Sequence, residues 1–326
     1  MKILLQNLKG EETEGVPFWY MRQAGRYLPE FAGFRKEGFL NMLLNFETMV
    51  SVSSLPLRYY DPDGIIIFTD LLVPLLKTGR MIHYDENLRI SEDYTANNLY
   101  DRISRSTSKA LNKLSQTEKT VIGFVGGPFT VASYIFDGRK TGYPETKRIL
   151  EEGSMKDQLE PVISAILDYA KVQVNAGAEA IQIFDSWIGS LSSNLFGKYL
   201  DEVEKDFVDE IKRLGKPVIF FAEGASHLYD QITELSYDCI SIDWRLTLDQ
   251  FSKIDPDRPV QGNLDPYLLS SDTKLLMKET DRILEEGRRF PGHVFNLGHG
   301  VPPYTDVKKL VEVSDRVRQF KCHRST

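Results

Sequence analysis

A short apolar run that stops abruptly at a polar or glycine residue recurs eight times along this chain, and that repetition constrains the fold more than any other feature. The runs are "VPFWY" before Met21 and Arg22, "GIIIF" before Thr69 and Asp70, "VIGFV" before Gly126, and "AIQIF" before Asp185 and Ser186. They continue with "VIFFA" before Glu223, "CISI" before Asp243, "PVQG" before Asn263 and "HVFNL" before Gly298 and His299. Runs this short with β-branched and aromatic content read as strands buried on both faces. Amphipathic helices lie between several of them. In "YLDEVEKDFVDEIKRLGKP" Leu200, Val203, Phe207, Ile211 and Leu214 recur every three or four residues, with Gly215 and Pro217 as the stop. Pro161 to Gly177 carries a similar stripe through Ile166, Leu167, Ala170 and Val174, and Thr305 is placed to cap a final helix bearing Val307, Leu310, Val317 and Phe320.

Strand and helix in alternation imply parallel pairing through right-handed crossovers. Eight such units predict a single (β/α)8 barrel over residues 1–326. The alternative, an open doubly wound sheet, is expected to show a GxGxxG turn after its first strand, and none is present. No linker, low-complexity block or fixed-period repeat divides the chain. The amino-terminal "MKILLQNLKGEE" lacks the apolar core of about 7–15 residues of a signal peptide. "IIIFTDLLVPLL" is interrupted by Asp70 and Pro74, so no membrane span is expected and a cytoplasmic protein is. A net charge of −7 disfavours nucleic acid as a partner, although arginines in a cleft can still focus positive potential on a small anion. Cys239 and Cys322 are far apart without a CxxC or HxC companion, which speaks against a disulfide framework and against a metal site.

On a barrel, functional groups collect at the carboxyl ends of the strands, where Arg22, Arg26, Asp70, Ser186, Asp243 and His299 fall. Arg22 and Arg26 suit carboxylate or phosphate recognition; a bridge to an acid on a neighbouring loop is the structural alternative. Arg35 either adds a third cation or is solvated. Asp70 ends a very apolar run, so its charge needs a partner: a helix start in "LLVPLL" or a ligand. "GFVGGPFT" and "NLGHGVPP" either cradle an anion through backbone amides or form tight turns. His299 is the histidine best placed to titrate in a cleft, and Tyr134 and Ser186 offer hydroxyls or serve turns and packing.

Taken together, "MRQAGRYLPEF", "IIIFTDLLVP", "GFVGGPFTVASY", "IQIFDSW", "IDW", "VQGNLDP" and "FNLGHG" resemble the uroporphyrinogen decarboxylase family, block by block and in order, from about Pro17 to the last helix. The resemblance implies a barrel, a homodimer, and no metal or organic cofactor. It implies a tetrapyrrole substrate, uroporphyrinogen III, whose four acetate side chains lose CO2 to leave methyl groups in coproporphyrinogen III. It places a substrate-binding signature on Arg22, Gln23, Ala24, Gly25 and Arg26, a further basic position at Arg35, the central carboxylate at Asp70, and substrate contacts at Tyr134, Ser186 and His299. Arg22, Asp70, Tyr134 and His299 would be the catalytic set. Glu223 departs from the pattern, an acid where the family commonly carries a base.

The residue types fit that chemistry. Carboxylates on the substrate call for arginines, and pyrrole N–H groups call for an acceptor such as Asp70. A protonated pyrrole can take up the electrons left by CO2, a task that other decarboxylases give to a cofactor. Arginine's pKa above about 12 makes Arg22 an unusual acid, which leaves His299 and Tyr134 open as proton donors. The rivals are a zinc-dependent corrinoid methyltransferase on a related barrel, a phosphosugar isomerase or aldolase, and a non-catalytic tetrapyrrole-binding protein. The first needs thiolates that two distant cysteines cannot readily supply, and the second a Schiff-base lysine at a strand mouth.

Overall fold

In the computed structural model, which describes residues 1–84, 88–93, 95–138 and 140–321, seven of the eight apolar runs form one parallel sheet. In chain order the strands are β1 (Gly64–Ile66), β2 (Arg80–His83), β3 (Arg89–Glu92), β4 (Thr120–Gly126), β5 (Ala180–Phe184), β6 (Val218–Phe221), β7 (Cys239–Ser241), β8 (Val260–Leu264) and β9 (His293–Leu297). The large sheet runs β1-β4-β5-β6-β7-β8-β9, with Ile65 opposite Val121, Phe184 opposite Phe221 and Gln261 opposite Val294. Strands β2 and β3 make a separate antiparallel pair.

The first run is the exception. "VPFWY" forms an isolated parallel bridge, Phe18 to Phe295, rather than a strand. Its backbone nevertheless bonds both edges of the sheet: the Phe295 amide donates to Pro17 O at 2.8 Å, and the Asp63 amide to Phe18 O at 2.9 Å. Since one short segment reaches β9 and the start of β1 together, the sheet is curled into a parallel half-barrel. The Asp63 carboxylate accepts the Phe18 amide at 3.0 Å, which uses a ladder donor on a side chain and limits the pairing to a bridge.

The helices follow the apolar stripes with three corrections. The helix read from Pro161 begins at Met155, because Met155 and Leu159 are also buried and extend the stripe; Pro161 lies inside Met155–Asn175. The helix around Leu200 is interrupted by a π turn, Leu200–Glu204, and that wider turn carries Glu204 into the interior. The final helix, Val307–Gln319, is capped by Asp306, whose carboxylate accepts the Lys308 amide at 3.0 Å; Thr305 is buried and its hydroxyl has no hydrogen-bond partner among the described residues. Asp306 wins because its carboxylate reaches the second amide of the first turn.

The interior of the half-barrel is packed, and it is partly polar. Gln261 accepts from the Trp19 indole N–H at 2.8 Å and donates to Gln182 at 3.1 Å and Ser241 at 3.0 Å. All four side chains are inaccessible to solvent, so this network ties β5, β7, β8 and the Phe18 segment together below the cleft. Gln261→Leu leaves the indole N–H and the Ser241 hydroxyl unpaired; the expected loss is about 2–4 kcal/mol of stability, read as a lower urea midpoint at unchanged slope.

Candidate active site

At the carboxyl ends of the strands a cleft of about 560 Å³ opens. Its floor is aromatic. Phe124 on β4 and Phe184 on β5 meet edge to face at 5.7 Å, Phe184 meets Phe221 on β6 at 5.9 Å, and Phe221 lies 6.3 Å from the His299 ring. Tyr84 and Leu88, flanking the β2–β3 connection, and Phe39 close one side.

Asp70 stands on this wall, part-exposed to the cleft and otherwise surrounded by protein. Its Oδ1 accepts the Leu72 amide at 2.7 Å in the turn before the helix Val73–Lys77, whose N-cap position is Leu72, so one oxygen serves the local turn while the carboxylate also borders the cleft. Burial pushes its pKa up from 3.8 to about 6, against the pull of the Leu72 amide and the neighbouring Tyr84 hydroxyl. That hydroxyl is itself buried and closes no well-formed hydrogen bond.

Arg22 reaches the cleft from a backbone in the left-handed region, φ 57°. The strain is held from the far end of the chain. Asn296 Oδ1 accepts the Met21 amide at 3.0 Å, and the Val301 amide donates to Met21 O at 2.8 Å. Gly300 leaves room for the arginine stem; a Cβ there would collide with Arg22 Cδ. Arg22, Arg26 and Arg35 are exposed and form no ion pair among the described residues, so the intramolecular bridge considered from the sequence is not made.

The cleft brings Arg22, Ala24, Asp70, Tyr134, Ser186 and His299 together. Tyr134 projects from the helix Pro128–Phe136 and packs on Trp187 at 4.4 Å. Gln23, Gly25, Arg26 and Arg35 are not on its wall. Gln23 is fully buried, with Oε1 accepting the Tyr20 amide at 3.1 Å and Nε2 donating to Gly64 O at 3.0 Å; its amide braces the turn that carries Arg22. Asp243 is buried too, accepting the Gly224 amide at 2.6 Å and pairing with Arg245.

The glycine-rich "GFVGG" makes a close approach. A Cβ on Gly127 would overlap Asp185, whose Oδ1 accepts the Thr130 amide at 2.7 Å. Behind it, the Tyr199 hydroxyl meets Asp185 Oδ2 at 2.6 Å and also touches Glu204, while accepting the Phe129 amide at 2.9 Å. A hydroxyl carries one proton, so one of the two acids must be protonated. Burial and the adjacent Asp185 push Glu204 well up, which makes it the neutral partner.

Tyr84, the phenylalanine floor and the Asp185–Tyr199–Glu204 cluster were missed from the sequence. Two signals were available: an aromatic residue near the end of three successive runs, and apolar alternation on either side of "DEN" at residues 85–87, which lie outside the described residues. Cys239 packs among Leu4, Trp19 and Ile219 with its thiol held protonated by burial, and Cys322 lies outside the described residues. Among the described residues, no helix is long and apolar enough to cross a membrane.

A parallel α/β sheet curled around a cleft at its strand ends, with Asp70 and Arg22 both in the lining, defines the class of the protein as α/β. The uroporphyrinogen decarboxylase (URO-D) family profile matches residues 1–320, and the chain belongs to that family. It is 34% identical to uroporphyrinogen decarboxylase of Bacillus velezensis, covering 99% of this chain and 96% of that one. It is 35% identical to the Carboxydothermus hydrogenoformans enzyme of the same name, covering 95% and 94%. Among solved structures, a methyltransferase from Methanosarcina mazei superposes with a TM-score of 0.77 over 97% of both chains at 17% identity, a likeness of fold.

The raised pKa of Asp70 makes a stability prediction. Between about pH 4 and about pH 6 the folded state binds more protons than the unfolded one, so Asp70's share of stability is whole at the acid end and lost as pH rises through about 6. Asp70→Asn, which keeps an oxygen for the Leu72 amide, is expected to be more stable than wild type by about 1–3 kcal/mol at pH 7.5, with the gap closing at pH 4. Denaturant titrations at both pH values measure it.

Proposed function

We propose that this chain catalyses the cofactor-independent decarboxylation of the four acetate side chains of uroporphyrinogen III to give coproporphyrinogen III. The observation that carries the reading is Asp70, a desolvated carboxylate facing a cleft that also presents Arg22. The macrocycle supplies what each lacks. Its inward pyrrole N–H groups are donors for Asp70, and its peripheral carboxylates are partners for Arg22, with Arg26 and Arg35 further out. Apolar ring faces match the phenylalanine floor, and the cleft volume lies within the range of about 300–1,000 Å³ usual for small-molecule sites.

In the reaction a ring carbon takes a proton, the ring becomes an iminium-like cation, and the C–C bond to the carboxylate breaks towards it as CO2 departs. A second proton then reaches the exocyclic carbon while the ring proton leaves, and the net change is one proton in and one CO2 out. Asp70 stabilises the cation, an effect that grows as the ligand excludes water. Arg22, Tyr134 and His299 face the same cleft and complete the catalytic set; Ser186, Ala24 and the Gln23–Gly25 turn complete the binding set. The Phe18 segment is read as the eighth strand of a closed (β/α)8 barrel, and the family resemblance points to a cytoplasmic homodimer, a state that light scattering tests.

The zinc-dependent methyltransferase reading is disfavoured by Cys239, which lies in the core with a protonated thiol. Anaerobic incubation with uroporphyrinogen and a chelator, with products separated by carboxylate number, is expected to give seven- to four-carboxylate species. Substrate bound but unchanged would support the binding-protein reading instead. Asp70→Asn is expected to lower kcat by about 10²–10³ with KM changed less than about threefold, and comparable kcat would remove Asp70 from the mechanism. His299→Asn should alter a limb of the pH–rate profile if the imidazole titrates in turnover.

A further inference from the structure

Glu223 departs from the family pattern, and its surroundings give that departure a use. It follows β6 and its carboxylate sits between two side chains from different loops. Oε2 lies 3.5 Å from His299 Nε2, and Oε1 lies 3.4 Å from Arg245 Nη2. Arg245 is held in turn by the buried Asp243 and lies over the Trp244 ring at 4.3 Å. The backbone is fixed as well, since the Glu223 amide donates to Ser186 O at 3.1 Å and the Gly224 amide to Asp243 at 2.6 Å.

We propose that Glu223 is a positioning residue for His299: it holds the imidazole as the Nε2–H tautomer and leaves Nδ1 as a lone-pair acceptor for the ligand, while Arg245 offsets its charge. The tautomer follows from the neighbours. The carboxylate oxygen 3.5 Å from Nε2 favours the proton on that nitrogen by charge rather than through a closed hydrogen bond, and neither ring nitrogen makes a hydrogen bond among the described residues. The charges facing the ring decide its protonation. Arg22 and Arg245 disfavour the imidazolium and Glu223 and Asp243 favour it, with burial the largest influence and against the charge; Tyr143 lies within electrostatic reach of Glu223. The balance is a neutral ring, with its pKa below 6.5.

The consequence for the reaction rests on the decarboxylase reading. A neutral His299 with its one proton turned to Glu223 accepts a pyrrole N–H or takes up a proton at Nδ1, so it is not the resident acid, and Tyr134 and Arg22 remain for that task. The Glu223 carboxylate, one step behind the His299 lining, also opposes substrate carboxylates next to that ring.

The test needs no substrate. The 15N-histidine spectrum of the free protein, with His299 assigned by its loss in His299→Asn, reports tautomer and titration midpoint together. Wild type is expected to show the Nε2–H tautomer at pH 7 and a midpoint below 6.5. Glu223→Gln, which keeps an oxygen acceptor and loses the charge, should retain the tautomer with a lower midpoint. Glu223→Ala should mix the tautomers, and Arg245→Met should raise the midpoint. In turnover, Glu223→Ala is expected to lower kcat/KM by about 3–10-fold. A wild-type Nδ1–H tautomer, or a Glu223→Gln midpoint at or above wild type, overturns the proposal. If wild type makes no coproporphyrinogen while the spectra behave as stated, the decarboxylase reading fails and the tautomer assignment stands.

Discussion

A carboxylate largely desolvated by the fold at the wall of a cleft is the constraint around which this protein is arranged. Ionised, Asp70 has one backbone amide and a nearby hydroxyl where water would offer several donors. The resulting rise to about 6 corresponds to roughly 3 kcal/mol at neutral pH, against a typical total stability of about 5–15 kcal/mol. The scaffold must offset that cost elsewhere. The close-packed interior does so, with the Trp19–Gln261–Gln182–Ser241 network directly beneath the cleft and an aromatic floor that cannot rotate away.

The same floor gives the ligand its leverage. On the decarboxylase reading proposed above, ring N–H donors arriving at Asp70 would replace part of the hydration that folding removed, leaving the carboxylate charge to act on the cation formed in the reaction. A neutral side chain at this position would fold more comfortably and, on that reading, lose turnover rather than binding. Arg22 shows the same logic in backbone form. A left-handed arginine is unfavourable, and it persists because Asn296, Val301 and Gly300, from the opposite end of the chain, leave it no alternative. Closing the Phe18 segment against β9 therefore builds the rim of the site in the same step that joins the two ends of the sheet.

What was legible in the sequence follows from which signals are local. The seven strands from "GIIIF" to "HVFNL" could be read because strands buried on both faces are short apolar runs whatever their partners. Phe18 could not be demoted to a bridge from sequence, because that depends on Asp63 reaching across to its amide. Gln23 reads like its neighbours in the arginine motif, yet its amide is spent on Tyr20 and Gly64, a fact set by the turn's direction. Glu204 looks solvated on a regular helix and becomes buried through a π turn. Thr305 and Asp306 are both good caps, and only the approach of the chain selects the second. Arg22, Asp70, Ser186 and His299 were legible as a set because each sits just past the end of an apolar run, whereas Tyr134 reaches the cleft from the last turns of the helix Pro128–Phe136.

Charges of both signs lie close together beside the cleft. Arg22, Arg26 and Arg35 come from one connection and have no carboxylate of their own among the described residues. Close to Arg22 and behind the His299 lining, Asp243 and Glu223 both pair with Arg245, and burial and the nearby arginines keep His299 neutral. In bulk water such influences would fade within a Debye length of about 8 Å. In a cleft from which a bound macrocycle has displaced the solvent, the same charges act at a lower effective dielectric. On the decarboxylase reading proposed above, a ligand whose rim is all carboxylate and whose centre is all N–H donor would meet both signs there, its carboxylates drawn to Arg22 and its centre to Asp70.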